Sequence, residues 1–400
     1  MIDLRAARND PETFRAALAR KGAADAFDAL LAADASWREL VPRVDELRAR
    51  QKLDGKPTPE QLEQLKQTKE ELRAAEEQLA AAEAERAALA LRVPNLPAED
   101  VPDGATEDDV KEIRRVGNPP QLAEVREHLD IGRFDMERAA RMSGARFGYW
   151  VGDTALLALA MYRYGLDRVR AKGFTTVLPP VLVREEALIG TGAFPSDEVN
   201  VYKLEDDPLY LAGTAEIPLA SVHATEILSE EELPLRYVAF SPCFRREAGA
   251  AGKDTRGMIR VHQFNKVEQF VLALPETSWD EHEAMLANTE ELVRDLGLPY
   301  RIVVLPAGDM SAASAKTYDV EIWFPSQQRY RETASISNTT DFQSRRLKIR
   351  VRRERGLELV HMLNGTAIVD RMALAVLENF QGGVPDLLRD YGAPPEIRPG

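Results

Sequence analysis

The hydrophobic pattern of this 400-residue chain changes its period along the sequence, and this change constrains the fold more than any other feature. Between residues 37 and 92, apolar side chains recur every three to four or every seven residues, which indicates amphipathic helices. After about residue 121, β-branched and aromatic residues alternate with polar ones, which indicates strands with one covered face. The pattern therefore predicts a helical part followed by a larger part of α+β class.

Two long helices joined by a turn are predicted in the N-terminal part. Their apolar seams consist of Trp37, Leu40, Val44 and Leu47 in the first stretch and Leu65, Leu72, Ala75, Leu79, Ala82 and Leu89 in the second. The turn-forming run at 54–59 predicts an antiparallel hairpin, whose second helix, residues 60–92, would be about 48 Å long. Pro42 is expected to kink or delay the first helix. Periodicity alone leaves open whether the hairpin is an oligomerisation coiled coil or a binding arm.

Composition divides the chain into three segments. A short helix after Asp10 and the hairpin form a helical arm domain at 1–100, and a segment rich in prolines and acids predicts a linker at 101–120. Residues 121–400 are predicted to form an antiparallel sheet flanked by helices. Strands are predicted after Gly173 and at 199–204, 235–243, 259–273, 300–305, 317–324 and 345–352, and helices at 154–172, 215–228, 278–297 and 366–381.

Charge and composition exclude several classes of protein. A formal net charge of −14 argues against a nucleic-acid binder that works by bulk attraction, although a local basic face remains compatible with it. The sequence has no apolar run of about 18 residues, so no membrane span is expected. A single cysteine cannot form an internal disulfide or a Cys-rich zinc site, the five histidines show no metal spacing, and the first residues lack the apolar core of a signal peptide. These features are typical of a cytoplasmic protein that holds no zinc.

The segment from Cys243 to Glu268 carries the densest set of charged residues with a regular spacing. It predicts a strand, a charged loop and a return strand, with Arg245 and Glu247 on one strand face. A phosphate and an amino group could both be bound there. The alternative is a strand-face ion pair between the two residues, worth about 1 kcal/mol at most if exposed. No Gly-x-Gly-x-x-Gly or Walker loop occurs, so ATP would have to bind through another architecture.

The Phe-Arg-x-Glu pattern at 244–247 and the run that leads to Glu268 resemble motif 2 of class II aminoacyl-tRNA synthetases. Their sequences are most similar to those of the seryl-tRNA synthetase family of bacterial type. The resemblance, including the order of helical arm, linker and motifs, covers nearly the whole chain. The resemblance implies that Arg245 binds the α-phosphate of ATP or the amino acid carboxylate. It further implies that Glu247 accepts a hydrogen bond from the adenine amino group. It also implies that Phe264 stacks on adenine and that Val261 contacts the nucleotide through its backbone.

Two further segments resemble family signatures. In residues 330–338, Glu332 and Ser335 resemble ligands of a Mg²⁺ ion that bridges the phosphates of ATP. Thr333, Ala334 and Ile336 depart from the usual sequence of the family at these positions. The segment 364–371 resembles motif 3, in which Arg371 would clamp the adenine and the γ-phosphate. Asp370 stands there in place of a small residue, and many members have the arginine one residue later. The resemblance thus implies the catalytic residues Arg245, Glu247 and Arg371 and the ATP-binding residues Arg245, Arg246, Glu247, Val261, Phe264, Glu332, Thr333, Ala334, Ser335 and Arg371.

The resemblance also implies the substrates and partners. The element at 214–216 resembles the Thr-x-Glu element of the serine pocket, and the implied serine-binding residues are Thr214, Ala215, Glu216, Arg245, Glu268 and Thr366. The implied reaction is the activation of L-serine by ATP and its transfer to tRNA(Ser), with tRNA for selenocysteine as a further acceptor. The segment 173–180 resembles motif 1, which implies a homodimer. The alternating basic row at 347–352 is either a solvated strand face or a contact with tRNA or the triphosphate.

Three other functions are compatible with parts of the sequence. An adenylate-forming relative could pass an amino acid to a carrier protein, but such relatives lack a helical arm of this kind. A catalytically inactive coiled-coil scaffold would be expected to have broken motifs, whereas Arg245, Glu247, Glu268, Glu332 and Arg371 are all present. Specificity for another amino acid is disfavoured by the sequences at 214–216 and 244–268, which are of the type found in the seryl-tRNA synthetase family.

Overall fold

The structure is a computed structural model that describes residues 1–52, 58–248 and 257–398. The chain divides into two compact units, Met1–Leu96 and Pro97–Gly400. The first unit is helical, and the second is built on β-sheets flanked by helices, so the predicted α+β class is confirmed.

Four helices build the first unit, and their ends follow from local capping. They are α1 (Leu4–Asn9), α2 (Pro11–Ala19), α3 (Ala24–Arg50) and α4 (Pro59–Arg92). The Asp10 side chain caps α2 by accepting from the Thr13 N–H. Thr58 and Gln61 cap α4 reciprocally, because each side chain accepts from the other residue's backbone N–H. Most of the turn predicted at 54–59 lies outside the described residues, and α3 runs continuously through Pro42.

Helices α3 and α4 pack along an apolar seam in antiparallel directions. Near one end of the seam, Val44 and Leu47 of α3 cluster with Leu72 and Ala75 of α4. At the other end, the beginning of α3 clusters with the end of α4, together with side chains of α1 and α2. The predicted helical hairpin is therefore present. Its seam is narrow, and the outer faces of both helices are polar and exposed.

The second unit contains eight α-helices and sixteen strands within the described part of the chain. The helices are α5 (His128–Ile131), α6 (Met136–Ser143), α7 (Asp153–Arg170), α8 (Glu185–Thr191), α9 (Glu216–Ser221), α10 (Ser278–Asp295), α11 (Phe342–Leu347) and α12 (Asp370–Phe380). The strands are β1 (Lys111–Val116), β2 (Phe134–Asp135), β3 (Tyr149–Trp150), β4 (Thr175–Val177), β5 (Leu182–Val183), β6 (Tyr202–Lys203), β7 (Tyr210–Leu211), β8 (Ile227–Ser229), β9 (Leu235–Phe244), β10 (Gln263–Ala273), β11 (Tyr300–Val304), β12 (Lys316–Phe324), β13 (Arg329–Asn338), β14 (Arg350–Arg353), β15 (Gly356–Leu359) and β16 (His361–Val369).

An eight-stranded sheet forms the frame of this unit. Its strand order is β1-β11-β12-β13-β16-β10-β9-β4, and every pair is antiparallel except β4 with β9. Helices α7, α10 and α12 pack on the sheet over a continuous apolar core. A Cβ atom at Gly165 would lie 2.5 Å from Ile368, so a glycine here allows α7 to approach β16 closely. The central strands β10, β13 and β16 are held on both sides and can position side chains rigidly.

The observed elements differ from the predicted ones in several places. Strand β1 lies in the segment predicted as a linker and pairs with β11 at the sheet edge; its largely exposed, charged side chains give little hydrophobic signal. Residues 345–352 form the end of α11 and part of β14 rather than one strand. The predicted helix at 366–381 begins at Asp370, because residues 361–369 form the buried strand β16. Helix α9 ends at Ser221, before the short strand β8.

Candidate active site

A cavity of about 360 Å³ opens above the central strands of the large sheet. Its walls come from β10, β13 and β16, from the start of α12, and from the segments 214–216, 245–247 and 258–261. The cavity is lined by twelve of the fifteen residues predicted for the site: Thr214, Glu216, Arg245, Glu247, Val261, Phe264, Glu268, Glu332, Thr333, Ser335, Thr366 and Arg371. Residues far apart in sequence therefore converge on one cleft.

A buried charged cluster forms one end of the cleft. Lys266 and Glu268, two residues apart on β10, form an ion pair whose side chains are only 9% and 2% exposed. The Thr214 hydroxyl accepts from Lys266 Nζ at 2.8 Å and donates to Glu268 Oε2 at 3.4 Å. Thr366 lies directly opposite Glu268 across the β10–β16 ladder. This end of the cleft therefore offers both charges and hydroxyl groups to a small polar ligand.

Glu216 adds a second carboxyl group to this end. Its Oε1 accepts from Gln343 Nε2 at 2.7 Å and from Asn364 Nδ2 at 3.0 Å. Burial, together with the nearby charge of Glu268, raises the pKa of the Glu216 carboxyl to about 7. A small ligand carrying an ammonium group would favour the ionised form of this carboxyl.

Arg245 and Glu247 lie just beyond the end of β9, in a geometry that differs from the predicted common strand face. The Arg245 guanidinium sits 5.3 Å from the centre of the Phe264 ring and donates from Nε to the Gly213 carbonyl at 3.3 Å. Glu247 adopts a φ of +52° and pairs with Arg260 rather than with Arg245. The alternative of a simple Arg245–Glu247 ion pair is therefore wrong. Positive φ at a non-glycine residue often marks a functional site.

The other end of the cleft joins Glu332 to Arg371. The Arg371 guanidinium donates to the Glu332 carbonyl and lies 3.4 Å from its carboxylate, and its Nη2 donates to the Ile259 carbonyl at 3.4 Å. Burial alone would raise the pKa of the Glu332 carboxyl, but the guanidiniums of Arg371 and Arg245 outweigh it and lower that pKa. Although the walls surround it, the Glu332 side chain is still 52% exposed to the open cleft. A ligand can therefore reach an ionised carboxylate here.

Asp319 lies behind Glu332 on the neighbouring strand β12. Its burial and the charge of Glu332 raise the pKa of the Asp319 carboxyl well above its ordinary value. Its Oδ1 atom is buried and has no hydrogen-bond partner among the described residues. Ser335 also lies here, with its hydroxyl 3.4 Å from Glu332 Oε1. Three oxygen-bearing side chains thus meet at one place, and one of their oxygens is unpaired.

Asp370, the unusual residue in the predicted motif 3, is accommodated by local hydrogen bonds. Its side chain is buried and accepts a hydrogen bond from the Tyr162 hydroxyl, to which Asn265 Nδ2 donates at 3.4 Å. Burial raises the pKa of the Asp370 carboxyl to about 6. The tyrosine from α7 therefore satisfies a carboxyl group at a position where the resemblance implies a small residue.

Three predicted site residues do not line the cleft. Ala215 and Ala334 are buried in apolar clusters on either side of it, and Arg246 is exposed while its backbone N–H donates to the Asn200 carbonyl at 2.8 Å. Thr333 does line the cleft, but its hydroxyl donates to the Val320 carbonyl at 2.9 Å. The side chains of Ala215, Ala334 and Thr333 are thus used for packing or internal hydrogen bonds, whereas that of Arg246 is exposed. The assignment of these four residues to a ligand remains a prediction.

Several residues of the cleft were not predicted from the sequence. Lys266 could have been found, because it precedes Glu268 by two residues and must share its strand face. Asp319 of β12 and Gln343 of α11 lie beside Glu332 and Glu216, and no local signal identifies them. Asn364 of β16 lies in the segment that resembles motif 3, but no role was predicted for it. Only the tertiary fold brings these polar groups to the cleft.

Two further findings concern metal-binding groups and membrane-spanning helices. Within residues 1–52, 58–248 and 257–398, no group of three or more His, Cys, Asp or Glu side chains is arranged to hold a metal ion. In the same part of the chain, no helix is long and apolar enough to span a bilayer. The cleft instead combines guanidiniums, carboxylates and an aromatic ring, which suits a ligand that carries an anionic group, a cationic group and a flat ring.

Comparisons with known proteins assign the chain to a class and then to a family. The model of the tRNA synthetase class II core domain (G, H, P, S and T) matches residues 202–380, which include most of the cleft. The antiparallel sheet and the charged cleft thus define the catalytic core of a class II aminoacyl-tRNA synthetase. The model of the seryl-tRNA synthetase N-terminal domain matches residues 1–97.

Individual relatives agree over the full length. A serine–tRNA ligase from Caldicellulosiruptor saccharolyticus is 45% identical over 98% of this chain and 98% of its own. The seryl-tRNA synthetase from Pyrococcus horikoshii complexed with ATP has a TM-score of 0.93 and 37% identity, covering 100% of both chains. The cytoplasmic serine–tRNA ligase from Naegleria fowleri in complex with AMP has a TM-score of 0.87 and 31% identity, covering 97% of this chain and 96% of its own. The chain belongs to the seryl-tRNA synthetase family.

Proposed function

We propose that this chain activates L-serine with ATP to seryl-adenylate and transfers the serine to tRNA(Ser), and that both small substrates bind in the cleft described above. The observation that carries this proposal is the convergence of Arg245, Glu268 and Glu332 on one cavity. The full-length similarity to serine–tRNA ligases supports the reaction, and the ATP and AMP complexes of two relatives support a nucleotide site.

The serine subsite lies at the buried charged end of the cleft. Glu216, when ionised, would pair with the ammonium group of serine. Glu268 and Thr366 would bind the serine hydroxyl, because they face each other across two strands. A site with such buried polar groups rejects alanine, which would leave them unpaired, by a factor of about 10⁴. Threonine must be excluded by crowding.

The nucleotide subsite lies between Arg245 and Arg371. Arg245 would hold the α-phosphate, and its contact with Phe264 fixes that ring as a platform for adenine. Arg371 would close over the adenine and the γ-phosphate, and Glu247 would accept from the adenine amino group. Since Glu247 pairs with Arg260, that ion pair must open or share its carboxylate when the nucleotide binds.

The reaction needs positioning and charge stabilisation more than a base. The serine carboxylate is ionised near neutral pH and attacks the α-phosphorus directly, forming a new P–O bond while the bond to pyrophosphate breaks. Arg245 stabilises the charge that develops on the α-phosphate oxygens. The terminal ribose hydroxyl of the tRNA then attacks the carbonyl carbon of seryl-adenylate, and AMP leaves.

A magnesium ion fits the acidic end of the nucleotide subsite. Glu332 and Ser335 would hold it, and the unpaired Oδ1 of Asp319 is a further hard oxygen beside them. When bound, such an ion neutralises the phosphate oxygens of ATP. The raised pKa of Asp319 also fits, because a cation would stabilise the ionised carboxyl that burial and Glu332 now disfavour.

The tRNA partner is assigned to the helical unit. Residues 1–100 would act as the arm that grips the long variable arm of tRNA(Ser), reading shape and backbone rather than sequence, which suits an acidic protein. Charging of selenocysteine tRNA is part of the same proposal. Action in the cytoplasm is also proposed, and the cytoplasmic relative from Naegleria fowleri supports it.

Homodimerisation is proposed from the resemblance of residues 173–180 to motif 1, and exposed leucines in and near this segment support it. Leu178, just after the edge strand β4, is 77% exposed, and Leu159 on α7 is 60% exposed. Leu156 and Leu182 are also exposed. A second copy of the chain would cover these side chains, and sedimentation should therefore give twice the mass of the 44.6 kDa chain.

One set of assays tests the proposed function against its rivals. ATP–pyrophosphate exchange is measured with each of the twenty amino acids, followed by charging of tRNA(Ser), tRNA for selenocysteine and a carrier protein. We expect exchange with serine and charging of tRNA(Ser). Exchange with another amino acid, or transfer to the carrier protein alone, would contradict the proposal, and the absence of any exchange would favour a scaffold.

A further inference from the structure

His128 is buried next to the cleft but does not line it. Its side chain is 4% exposed, and it lies at the start of the short helix α5. Both ring nitrogens have partners: Nδ1 lies 2.8 Å from Glu378 Oε1, and Nε2 lies 3.3 Å from the Met258 backbone nitrogen. A backbone N–H can only donate, so Nε2 must accept and Nδ1 must carry the proton that it donates to Glu378.

Glu378 is itself held firmly. It lies two turns after Arg371 on α12, its carboxylate is fully buried, and its Oε2 accepts from the Ser326 N–H at 3.0 Å. Burial would raise its pKa, but the hydrogen bonds from His128 and Ser326 outweigh this and lower it. The backbone of Arg126 is bound to Gln381 at the end of the same helix. The segment that carries His128 is thus docked on α12 at several points.

Met258, which donates its backbone N–H to His128, belongs to a segment that forms one wall of the proposed nucleotide subsite. Met258, Ile259 and Val261 line the cleft, and the Ile259 carbonyl accepts a hydrogen bond from the Arg371 guanidinium. Gly257 has a φ of +80°, and a Cβ atom there would lie 2.6 Å from His128 Nε2, so the backbone is pressed directly against the imidazole. Helix α12 therefore contacts this wall twice, through Arg371 and through Glu378 and His128.

We infer that His128 is a positioning residue for ATP: its imidazole, oriented by Glu378, fixes the backbone of residues 257–261 and thereby sets the position of the wall that meets the nucleotide and Arg371. The inference rests on the proposed location of the ATP subsite. The serine subsite is built on other segments, so loss of His128 affects ATP more than serine.

The test compares His128→Ala, His128→Gln and Gly257→Ala. The glutamine amide offers N–H donors and a carbonyl acceptor, so it can restore both hydrogen bonds. The added methyl group at 257 pushes the backbone away while leaving Glu378 paired. We expect His128→Ala and Gly257→Ala to raise the KM for ATP about tenfold with less than about a twofold change in the KM for serine. In His128→Gln, the KM for ATP should lie within about threefold of the wild-type value.

Two matched variants control for general effects. His223 also bonds a glutamate through Nδ1 and a second group through Nε2, but it does not line the cleft, so His223→Ala should leave both KM values unchanged. Gly392→Ala introduces a similar strain, at a φ of +93° with open space around it, and controls for Gly257→Ala. Equal rises in the two KM values, or no rescue by glutamine, would overturn the inference.

Amide hydrogen exchange separates this inference from the proposed function. A peptide covering residues 257–262 should exchange about tenfold faster in His128→Ala than in the wild type without any ligand. Unchanged exchange would overturn the positioning role. If exchange accelerates while Arg371→Ala leaves the KM for ATP unchanged, the location of the ATP subsite is wrong, although His128 still fixes the wall.

Discussion

The hairpin and the cleft use charged side chains in opposite ways. In the hairpin, Arg48 of α3 and Glu76 of α4 form an ion pair at 2.9 Å, with side chains 55% and 43% exposed. In the cleft, Lys266 and Glu268 are almost wholly withdrawn from water. Asp34, near the base of the hairpin, is an exception, since it is buried between Arg8 and Arg86.

This difference shows where each region obtains its stability and where it carries chemistry. An exposed ion pair stabilises little, because water screens it and two long side chains lose freedom. The hairpin must therefore depend on its apolar seam, and its polar faces remain free to meet a partner. Buried charges in the cleft oppose folding unless they are paired, and they interact strongly with a ligand that completes the pairing.

The largest expected effect is on catalysis in the cleft. Arg245→Ala removes the guanidinium that we propose holds the α-phosphate, and the rate of serine-dependent pyrophosphate exchange should fall about 10³-fold. The residue is exposed, so the melting temperature should stay close to that of the wild type. A matched control is Arg184→Ala, whose exposed side chain does not line the cleft. Equal losses in both variants would contradict the proposed role of Arg245.

A slightly smaller effect is expected when the distal hairpin is removed. Deleting residues 37–83 and closing the gap with a short glycine-rich turn retains the basal cluster that includes Phe27, Leu30, Ala90 and Val93. We expect kcat/KM for tRNA charging to fall about 10²-fold or more, because the proposed contact with the tRNA would be lost. Pyrophosphate exchange should remain near the wild-type rate. Full charging by this variant would show that the hairpin does not bind the tRNA.

For Glu216, we expect a tenfold effect on the KM for serine, together with a clear pH dependence. Its pKa of about 7 means that the carboxyl ionises as pH rises from 6 to 8, so the KM for serine should fall over that range. Glu216→Gln should raise the KM about tenfold at pH 8 and abolish this dependence. A wild-type KM that is constant between pH 6 and 8, or one that rises, would contradict the role of Glu216.

The same carboxyl has a predictable effect on stability. Because its folded-state pKa lies above the ordinary value of 4.5, the folded chain holds the proton more tightly than the unfolded chain. Its contribution to the free energy of unfolding is therefore largest below pH 4.5 and is lost as pH rises through about 7. Comparison of the wild type with Glu216→Gln across this range isolates the effect by urea denaturation.

The smallest effect is expected for the exposed ion pair of the hairpin. A double-mutant cycle on Arg48 and Glu76, with alanine at each position, should give a coupling free energy of at most about 0.5 kcal/mol. Salt should reduce it further. A coupling above about 2 kcal/mol would show that the hairpin uses its charges as the cleft does.

The sequence predicts the two regions to different extents. Periodicity identifies α3 and α4 because each keeps one apolar face over many turns. The central strands β13 and β16 are absent from the predicted set, since β13 carries many polar residues that face the cleft and β16 contains Asn364-Gly365, a pair typical of turns. The order of strands and the place of β1 depend on long-range pairing, which no local pattern contains.

The site was predictable where residue types have a recognisable order. The resemblance at 244–268, 330–338 and 364–371 indicates Arg245, Glu332 and Arg371, and the structure brings these residues to one cleft. It could not indicate that Glu247 pairs with Arg260, or that Asp319 lies behind Glu332. Those relations arise from the packing of separate strands.

A crystal structure with a non-hydrolysable sulfamoyl analogue of seryl-adenylate tests most directly whether one cleft binds both serine and the nucleotide. We predict the seryl group against Thr214 and Glu268, the linking group at Arg245, and the adenine between Phe264 and Arg371. An analogue bound at another surface, or one that leaves Arg245 and Glu268 untouched, would contradict the proposed site.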